Sequence, residues 1–390
     1  MKSVYLDNAA TSFPKPEAVL AAMIHYQQNI GGSPGRSGHG RSIDAGRMVY
    51  ETREALANLF NIKDPLRIAL TKNSTESLNI ALQGRLKPGD HAITTGMEHN
   101  SVMRPLRFLE TRGVELSVIP CSPHGEFDPD DIQGALRKNT KMVVLTHASN
   151  VTGTIMPVEA VGLLLRERED VVFCVDAAQT AGALPIDVQK MGIDLLAFTG
   201  HKSLFGPQGT GGLYVREGLD DKISPLMMGG TGSRSEFEKQ PEFMPDKYES
   251  GTPNAIGLAG LGAGVSFVLG QTVDAIRAKE EELTSRFLRQ LQDLQDQVKI
   301  YGPGDASKQT AVVSFNLKNV TPSDAALYFE EIWGILCRPG LHCAPATHRT
   351  IGTFPQGTVR FSFGFFSTNQ DVDHAGAAVH DLLKRQNSER

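Results

Sequence analysis

Residues 193–203 read Ile-Asp-Leu-Leu-Ala-Phe-Thr-Gly-His-Lys-Ser, and a glycine-rich run, Gly-Pro-Gln-Gly-Thr-Gly-Gly, follows at 206–212. The apolar residues predict a strand that ends near Thr199 and places Lys202 just beyond it. In a partly dry pocket the charged form of a lysine is disfavoured, so its pKa falls and its neutral amine can attack a carbonyl to form a Schiff base. The alternative is an ordinary surface lysine in a loop, and this segment alone does not separate the two.

Strand and helix patterns alternate on both sides of this segment. An amphipathic helix is predicted over 42–60, and short apolar runs then alternate with helical runs. Such alternation predicts an α/β fold with crossover units and a mainly parallel sheet covered by helices on both faces. The predicted strands are 66–70, 91–95, 114–119, 142–146, 171–175, the run leading to Thr199, and 213–215; the predicted helices are 75–86, 101–112, 129–136 and 157–167.

The C-terminal third has a different pattern. A long helix is predicted over 256–298, broken near Gln271, and the tail then predicts a smaller α+β unit. The domain bounds that we expect for the chain are 14–253 for a large domain and 1–13 with 254–390 for a small one, the latter grouping being implied by the family resemblance given below. The predicted elements of the tail are a strand at 311–315, a helix at 323–332, strands near Leu336 and at 358–363, and a helix at 369–383.

Composition excludes several classes of protein. The formal net charge of the 390-residue chain is -5, which disfavours a nucleic-acid surface or an anionic membrane as partner. The four cysteines are too few and too scattered for a disulfide scaffold. The N-terminus has no signal-peptide or transit-peptide pattern, and the apolar run 255–270 is short for a membrane span. We therefore expect a cytoplasmic, reducing setting in which a free thiol can take part in chemistry.

Polar segments follow several of the predicted strands. In open parallel sheets, ligands bind outside the carboxyl ends of the strands, so these segments are expected to share one site. The placement of all these segments at strand ends indicates a binding site more strongly than any single segment does. The segments are Asn73-Ser74-Thr75, Glu98-His99-Asn100, Ser149-Asn150, Asp176-Ala177-Ala178-Gln179 and His201-Lys202.

Two of these segments could each bind a charged group of a ligand, one an anion and the other a cation. Ser74 and Thr75 open a predicted helix, whose N–H groups and hydroxyls can cradle phosphate, although the residues taken alone favour a plain helix cap by Ser74. No Walker A or G-x-G-x-x-G pattern follows a strand here, which disfavours a nucleotide. Asp176 ends an apolar strand and needs a cationic partner if buried, for which a protonated ring nitrogen would serve. It could instead cap the next helix.

The remaining candidates are two histidines, a cysteine and an arginine. His99 and His201 could carry protons, stack on a ring or bind a metal, although their spacing does not favour a metal site; a structural histidine is the alternative for either one alone. Cys343 lies in a loop of small residues with Arg338 close by in sequence, which would favour the thiolate; an inert cysteine is the alternative. Arg360, on an apolar strand, suits bidentate capture of a carboxylate or an internal ion pair.

Taken together, from Leu6-Asp7-Asn8-Ala9-Ala10-Thr11 to the last helix, these segments resemble the cysteine desulfurase family of pyridoxal-phosphate enzymes. The resemblance implies the aspartate-aminotransferase-like fold (fold type I), with the cofactor on the large domain and the catalytic cysteine loop on the small one. It implies that Lys202 carries the Schiff base. The further implied cofactor contacts are Ser74, Thr75, Thr199 and His201 at the phosphate, His99 stacked on the ring, Asp176 at the pyridine nitrogen, Gln179 at the ring hydroxyl, and Thr252 at the phosphate of the neighbouring subunit of a homodimer.

The same resemblance implies a reaction. Cys343 matches the persulfide-forming cysteine, and Asn150, Arg338 and Arg360 are assigned to the substrate. L-cysteine would be converted to L-alanine, with Lys202 removing the Cα proton, His99 carrying the thiol proton, and the sulfur passing to an acceptor protein.

Two departures from the family pattern leave the substrate open. Thr199 stands where many members have serine, and the cysteine segment reads Arg-Pro-Gly-Leu-His-Cys rather than Arg-Thr-Gly-His-His-Cys. The short run from Cys343 to Arg360 is similar to the compact-loop branch, which includes selenocysteine lyases. L-selenocysteine is therefore an alternative substrate. Another aminotransferase-type enzyme that does not need Cys343, or a non-catalytic scaffold of the same fold, is the further alternative.

Overall fold

The structure is a computed structural model that describes residues 3–35, 37–294 and 296–388, without the side chains of the last two. The N-terminal arm contains a short strand, β1 (Val4–Tyr5). In the described residues the central sheet has seven strands in the order β2-β8-β7-β6-β5-β3-β4, of which only β8 runs antiparallel to its neighbours. The strands are β2 (Ile68–Thr71), β3 (His91–Thr95), β4 (Glu115–Ile119), β5 (Thr140–Thr146), β6 (Val172–Asp176), β7 (Leu195–Thr199) and β8 (Gly211–Val215).

Helices cover both faces of this sheet. Strand β7 is buried throughout, with Leu196 and Phe198 in one hydrophobic core and Leu195 and Ala197 in the other. Burial on both faces is why the parallel strands read as continuous apolar runs in the sequence. The α/β prediction is confirmed. The helices are α1 (Glu17–His25), α2 (Gly40–Phe60), α3 (Ser74–Arg85), α4 (Asn100–Glu110), α5 (Pro129–Ala135), α6 (Val158–Leu165) and α7 (Ala255–Gln271).

The predicted long helix is two helices. Helix α7 is followed by α8 (Val273–Gln292), and Thr272 between them has a φ of 69°, so the break near Gln271 is confirmed. The predicted end at residue 298 is wrong, because α8 ends at Gln292 and Val298 begins strand β9 (Val298–Tyr301). Strand β9 pairs with the next strand of the chain, at 312–317, and the local pattern does not reveal this pairing. In the described chain no single helix could cross a bilayer; α7 and α8 qualify only as a pair bent by 80°.

The smaller unit is an antiparallel sheet with helices packed on it. Its strand order is β12-β13-β10-β9, and β1 of the N-terminal arm pairs in parallel with β11. Sequence analysis missed α10, a helix of six residues just after Cys343. The elements after β9 are β10 (Val312–Leu317), α9 (Pro322–Trp333), β11 (Ile335–Leu336), β12 (Arg338–Gly340), α10 (Pro345–Thr350), β13 (Thr358–Ser362) and α11 (Asn369–Ser388).

Helix α7 packs with the large unit. Its Leu258, Leu261 and Val265 lie in the same hydrophobic core as Phe198 of the central sheet. Leu283 and Phe287 of α8 lie instead in the core of the smaller unit. We therefore propose that the chain divides at the bend at Thr272, about one helix later than the boundary expected after residue 253.

The core of the smaller unit gives a test of the fold. The buried Phe361 ring lies 5.1 to 5.4 Å from the rings of Phe287, Phe315 and Phe329. Because Phe361→Ala leaves a cavity among them, it is expected to lower the free energy of unfolding by about 3–5 kcal/mol in urea denaturation. Phe237→Ala, which removes a ring that is 61% exposed, serves as the control and is expected to change it by less than about 0.5 kcal/mol. Equal effects of the two changes would contradict this packing.

Candidate active site

A cavity of about 230 Å³ lies at the carboxyl ends of the parallel strands, where the large and small units meet. The large unit contributes residues that follow β2, β3, β5, β6 and β7, and the small unit contributes residues from β12 and β13. The structure therefore brings most of the sequence-predicted site residues together. Those lining the cavity are Ser74, Thr75, His99, Asn150, Asp176, Gln179, Thr199, His201, Lys202, Arg338 and Arg360.

Lys202 lies in the turn after β7, as the sequence pattern of residues 193–203 predicts. Burial lowers the pKa of Lys202 to about 8, and nearby Asp176 opposes part of that shift. The backbone of the turn is fixed by the N-terminal arm, because the Ser12 hydroxyl donates to the Lys202 carbonyl oxygen at 2.7 Å. A neutral amine is therefore accessible near neutral pH on a rigid backbone, which is what a nucleophilic lysine requires.

Asp176 ends β6 inside the protein. Its Oδ1 accepts hydrogen bonds from the Ser74 hydroxyl and from the Ala178 N–H, both at 3.0 Å. Burial raises the pKa of Asp176, partly offset by the Ala178 N–H and by Lys202. A cation placed against this carboxyl group from the cavity side would favour its ionised form.

The N-terminus of α3 faces the same cavity. Asn73, not Ser74, caps the helix: the Asn73 side chain accepts from the Glu76 N–H at 2.9 Å. The cap reading of Ser74 is therefore wrong, because its hydroxyl donates to Asp176 instead. The N–H groups of Ser74 and Thr75 precede the first intrahelical hydrogen bonds and remain available to an anion.

His99 has a defined tautomer. It caps α4, and its Nδ1 accepts from the Ser101 N–H at 3.0 Å, which leaves the proton of the neutral ring on Nε2. Burial lowers the pKa of His99 to about 4, with Lys202 and Arg338 adding to the shift. Ser101 also links His99 to Thr75, since its hydroxyl lies 2.9 Å from His99 Nδ1 and 2.8 Å from the Thr75 hydroxyl.

Two buried nitrogen atoms of the lining lack partners. Among the described residues, none hydrogen-bonds to Nδ1 of His201 or to Nε of Arg360. The other nitrogens of Arg360 are engaged: Nη2 donates to Asp7 at 2.5 Å and Nη1 to the Asn150 carbonyl at 2.9 Å. Arg360 thus forms the internal ion pair that the sequence left as an alternative and also lines the cavity. An anionic ligand would satisfy the Arg360 N–H, and it would satisfy His201 Nδ1 in the tautomer that carries the ring proton there.

Cys343 lies on a groove that adjoins the cavity. The groove shares Thr75, His99 and Ser101 with the cavity lining, and Cys343 is exposed in it. Its sulfur accepts a hydrogen bond from Arg338 Nη2 at 3.4 Å. The other three cysteines are buried or half-buried, and burial raises the pKa of Cys121 to about 11. Cys343 is therefore the accessible thiol next to the cavity.

Three predicted residues are already engaged within the chain, and one lies elsewhere. The Asn150 amide donates to the His342 carbonyl at 2.7 Å, the Gln179 amide to the Ala9 carbonyl at 3.2 Å, and the Thr199 hydroxyl to the Thr210 carbonyl at 3.5 Å. Thr252 is exposed and lies outside the lining of the cavity. Its role toward a neighbouring subunit stays a prediction.

Sequence analysis missed three residues that support this site. They are Ser101, which joins Thr75 to His99; Asp7, which pairs with Arg360; and Glu98, which lies in a predicted segment but was given no role and is fully buried. Asp7 lies in the Leu-Asp-Asn segment that was noted, but its partner is 353 residues away. Within the described ranges, no three His, Cys, Asp or Glu residues are grouped so as to hold a metal ion.

Glu98 provides a pH-dependent test. Its carboxyl group accepts from the Thr95 hydroxyl at 2.7 Å and from the Thr146 N–H at 2.9 Å, yet burial raises its pKa from 4.5 to about 8. The folded state therefore holds a proton that the unfolded state releases, and stability is lost as the pH rises from about 5 to 8. Glu98→Gln, which cannot ionise, is expected to make the free energy of unfolding less steep across this range, by on the order of 1 kcal/mol per pH unit.

Urea denaturation at several pH values measures this slope. Glu51→Gln, which changes an exposed glutamate on α2, is the control and is expected to keep the wild-type slope. A wild-type slope in Glu98→Gln would show that Glu98 is ionised in the folded protein.

Comparisons with known proteins agree with this geometry. Residues 4–374 match the family aminotransferase class-V. The chain is 33% identical over 383 residues to a probable cysteine desulfurase of Methanothermobacter thermautotrophicus. The alignment covers 97% of this chain and 94% of that protein. It is 35% identical over 390 residues to a probable cysteine desulfurase of Pyrococcus abyssi. That alignment covers 98% of this chain and 94% of the Pyrococcus protein.

Solved structures extend the likeness to the fold. A cysteine desulfurase from Thermococcus onnurineus superposes with a TM-score of 0.91 at 34% identity, covering 98% of this chain and 95% of that one. A cysteine desulfurase from Escherichia coli gives a TM-score of 0.84 at 30% identity, with the same coverage. The predicted fold type is therefore confirmed, and the chain belongs to the aminotransferase class-V family, within its group of cysteine desulfurases.

Proposed function

We propose that this protein is a pyridoxal-phosphate-dependent cysteine desulfurase that converts L-cysteine to L-alanine and retains the sulfur as a persulfide on Cys343. The observation that supports the proposal is that the cavity and the groove beside it share part of their lining. The cavity contains a half-buried lysine and a buried aspartate, and the groove beside it contains the exposed Cys343. His99 lines both.

The lining fits pyridoxal phosphate. The free N–H groups at the start of α3 and the unpaired His201 Nδ1 suit its phosphate, with Thr199 beside them. Asp176, whose pKa burial raises, suits a protonated pyridine nitrogen. Lys202 supplies the amine for the aldehyde, and Gln179 and His99 complete the lining. When bound, this cofactor supplies the electron sink for bonds broken at the substrate Cα.

The opposite side of the cavity suits an amino-acid carboxylate. Arg360 and Arg338 both line it, and Nε of Arg360 has no acceptor among the described residues. A guanidinium group held by Asp7 cannot swing away, so it can orient a carboxylate without first being ordered. Asn150 is also part of this lining, although its amide now donates to His342.

Three side chains account for the proton and sulfur transfers. Lys202, with a pKa near 8, can accept the proton from the substrate Cα and return it to the carbon that loses sulfur. His99 keeps its proton on Nε2 and can share it with the substrate sulfur through a hydrogen bond. Cys343 Sγ then attacks the substrate sulfur, so that one C–S bond breaks and one S–S bond forms. Of the two thiol protons, from the substrate and from Cys343, one ends on alanine and the other on the persulfide. The reaction consumes no external oxidant or reductant.

The sulfur acceptor and the subunit arrangement belong to the same proposal. The exposure of Cys343 supports transfer of the persulfide sulfur to a thiol of an acceptor protein. We also propose a homodimer in which the exposed Thr252 segment reaches the phosphate site of the neighbouring subunit. L-selenocysteine would fit the same lining, because selenium replaces sulfur in an otherwise identical molecule.

Cys343→Ala tests the proposal. Because no other exposed cysteine adjoins the cavity, the change is expected to lower alanine release from L-cysteine by at least about 10²-fold, the size of effect that loss of a nucleophile produces. Cofactor binding, read from the visible absorbance of the holoenzyme, is expected to stay at the wild-type level. The measurement is alanine formed per minute under saturating L-cysteine.

Cys121→Ala is the matched control, since it removes a half-buried thiol outside the groove, and is expected to keep full turnover. Undiminished alanine release by Cys343→Ala would contradict the persulfide role. Release from L-selenocysteine that survives in Cys343→Ala, while release from L-cysteine is lost, would favour the selenocysteine lyase alternative for that substrate.

A further inference from the structure

The backbone that presents Cys343 is strained. His342 and Cys343 have φ angles of 48° and 59°, so two consecutive residues with side chains occupy the left-handed region that glycine prefers. Strain of this kind persists only where surrounding contacts over-determine the conformation. Residues 338–343, called the cysteine loop below, must therefore be held by contacts strong enough to keep this turn.

Backbone contacts hold part of the cysteine loop. The Asn150 amide donates to the His342 carbonyl at 2.7 Å, and the Asn100 N–H donates to the Cys343 carbonyl at 2.9 Å. The turn itself is closed by the Ala344 N–H, which donates to the Leu341 carbonyl at 2.8 Å. These contacts fix the carbonyl groups but leave the His342 side chain to be held by something else.

A second histidine holds that side chain. The His342 and His348 rings are buried, with planes 25° apart and centroids 5.4 Å apart, and they meet edge to edge because His342 Nδ1 lies 3.3 Å from His348 Nε2. At its other side, His342 Nε2 lies 2.9 Å from the Arg338 carbonyl oxygen. His348 Nδ1 lies 2.7 Å from the hydroxyl of Thr353. The four groups form one continuous chain of hydrogen bonds.

The direction of every bond in this chain follows from its first member. A carbonyl oxygen can only accept, so His342 donates from Nε2 and its Nδ1, in the neutral ring, must accept. His348 therefore donates from Nε2, and its Nδ1 accepts from the Thr353 hydroxyl. Burial lowers the pKa of both histidines, that of His348 to about 4, which keeps the two rings neutral.

The chain ends on an anchor that also fixes His99. Helix α10 carries His348, and its Thr347 and Thr350 hydroxyls donate to the Met97 and Gly96 carbonyls, each at 3.0 Å. Those two residues directly precede Glu98 and His99. One short helix thus sets the cysteine loop and the His99 segment relative to each other across the boundary between the two units.

We propose that His348 is a positioning residue for Cys343: by donating to His342 it clamps the cysteine loop in the strained turn that presents the thiol beside the cavity. His348 does not line the cavity or the groove, so it acts through His342. The proposal rests on the proposed function for its catalytic consequence, but the clamping of the loop is independent of any reaction.

His348→Leu and His348→Gln test the clamp. Leucine cannot donate to His342, whereas the glutamine amide can reach roughly the place of the imidazole Nε2. His348→Leu is expected to lower kcat for alanine release by about 10- to 100-fold, the effect of an ångström-scale misplacement, with KM for L-cysteine changed by less than about twofold. His348→Gln is expected to recover most of the lost kcat.

Amide hydrogen exchange of the cofactor-loaded protein without substrate gives a readout that needs no turnover. The Ala344 amide, which closes the turn, is expected to exchange at least about tenfold faster in His348→Leu and near the wild-type rate in His348→Gln. His91→Leu is the matched control: it also removes a buried histidine with two hydrogen bonds, to Thr140 and Ser117, but at the opposite end of the sheet. It is expected to lower stability without accelerating exchange at Ala344.

Each outcome decides the proposal. Wild-type exchange at Ala344 in His348→Leu, or equal acceleration in His91→Leu, would overturn it. Equal impairment of the leucine and glutamine variants would show that the donated hydrogen bond is not the relevant contact. Should His348→Leu fail to fold, Thr353→Val, which frees His348 to adopt the other tautomer, is expected to accelerate exchange at Ala344, and a wild-type rate there would overturn the clamp. If Ala344 exchanges faster in His348→Leu but the wild-type protein releases no alanine from L-cysteine, the clamp is supported and the proposed function is rejected.

Discussion

The removal of the Lys202 amine from water is the constraint on which the rest of the site depends. A lysine in solvent is a cation, and only burial brings its pKa down to about 8. The same dry surroundings raise the pKa of Asp176 and lower those of His99 and His201 to about 4. One cavity therefore contains an amine, a carboxyl group and two neutral imidazoles whose protonation states all respond to a bound ion.

Burial of this kind requires a rigid frame, and the N-terminal arm provides much of it. The His201 carbonyl accepts from the Thr11 hydroxyl at 3.0 Å and from Lys15 Nζ at 2.7 Å, and the Lys202 carbonyl accepts from Ser12. The arm also supplies Asp7 to Arg360. Because β1 of the arm pairs with β11 of the smaller unit, the arm ties the lysine turn to the half of the protein that carries Cys343.

The sequence predicted what depends on local pattern and on parallel-sheet geometry. The predicted bounds of strand β3 match the observed ones. The polar segments at the ends of the strands predicted the position of the cavity. Contacts that are not encoded in the local pattern were not predictable. The pairing of β9 with β10 is one example. The hydrogen bond of the Ser74 hydroxyl to Asp176, 102 residues away, in place of a cap on its own helix, is another. The His342–His348 contact gave no signal either, because two histidines six residues apart, one before and one inside a helix that was not predicted, match neither the helical nor the strand period.

The outcome for Thr252 illustrates a different limit. Its predicted partner is on another subunit, and within one chain it is simply an exposed residue outside the cavity. The sulfur acceptor is likewise defined by a surface outside this chain. Residues whose roles are completed by the chain itself, such as Lys202 and Asp176, are those for which residue type, strand end and burial agree.

The most direct test of the buried-amine account is to locate the cofactor attachment by mass spectrometry. The protein is incubated with pyridoxal phosphate, reduced with borohydride and digested. The account predicts that the pyridoxyl phosphate group is found on the peptide containing Lys202 and is lost in Lys202→Ala. Lys15 is the internal comparison, since burial also lowers its pKa to about 8 but it lies outside the cavity lining. Attachment at Lys15 or at surface lysines, with Lys202 unmodified, would contradict the account.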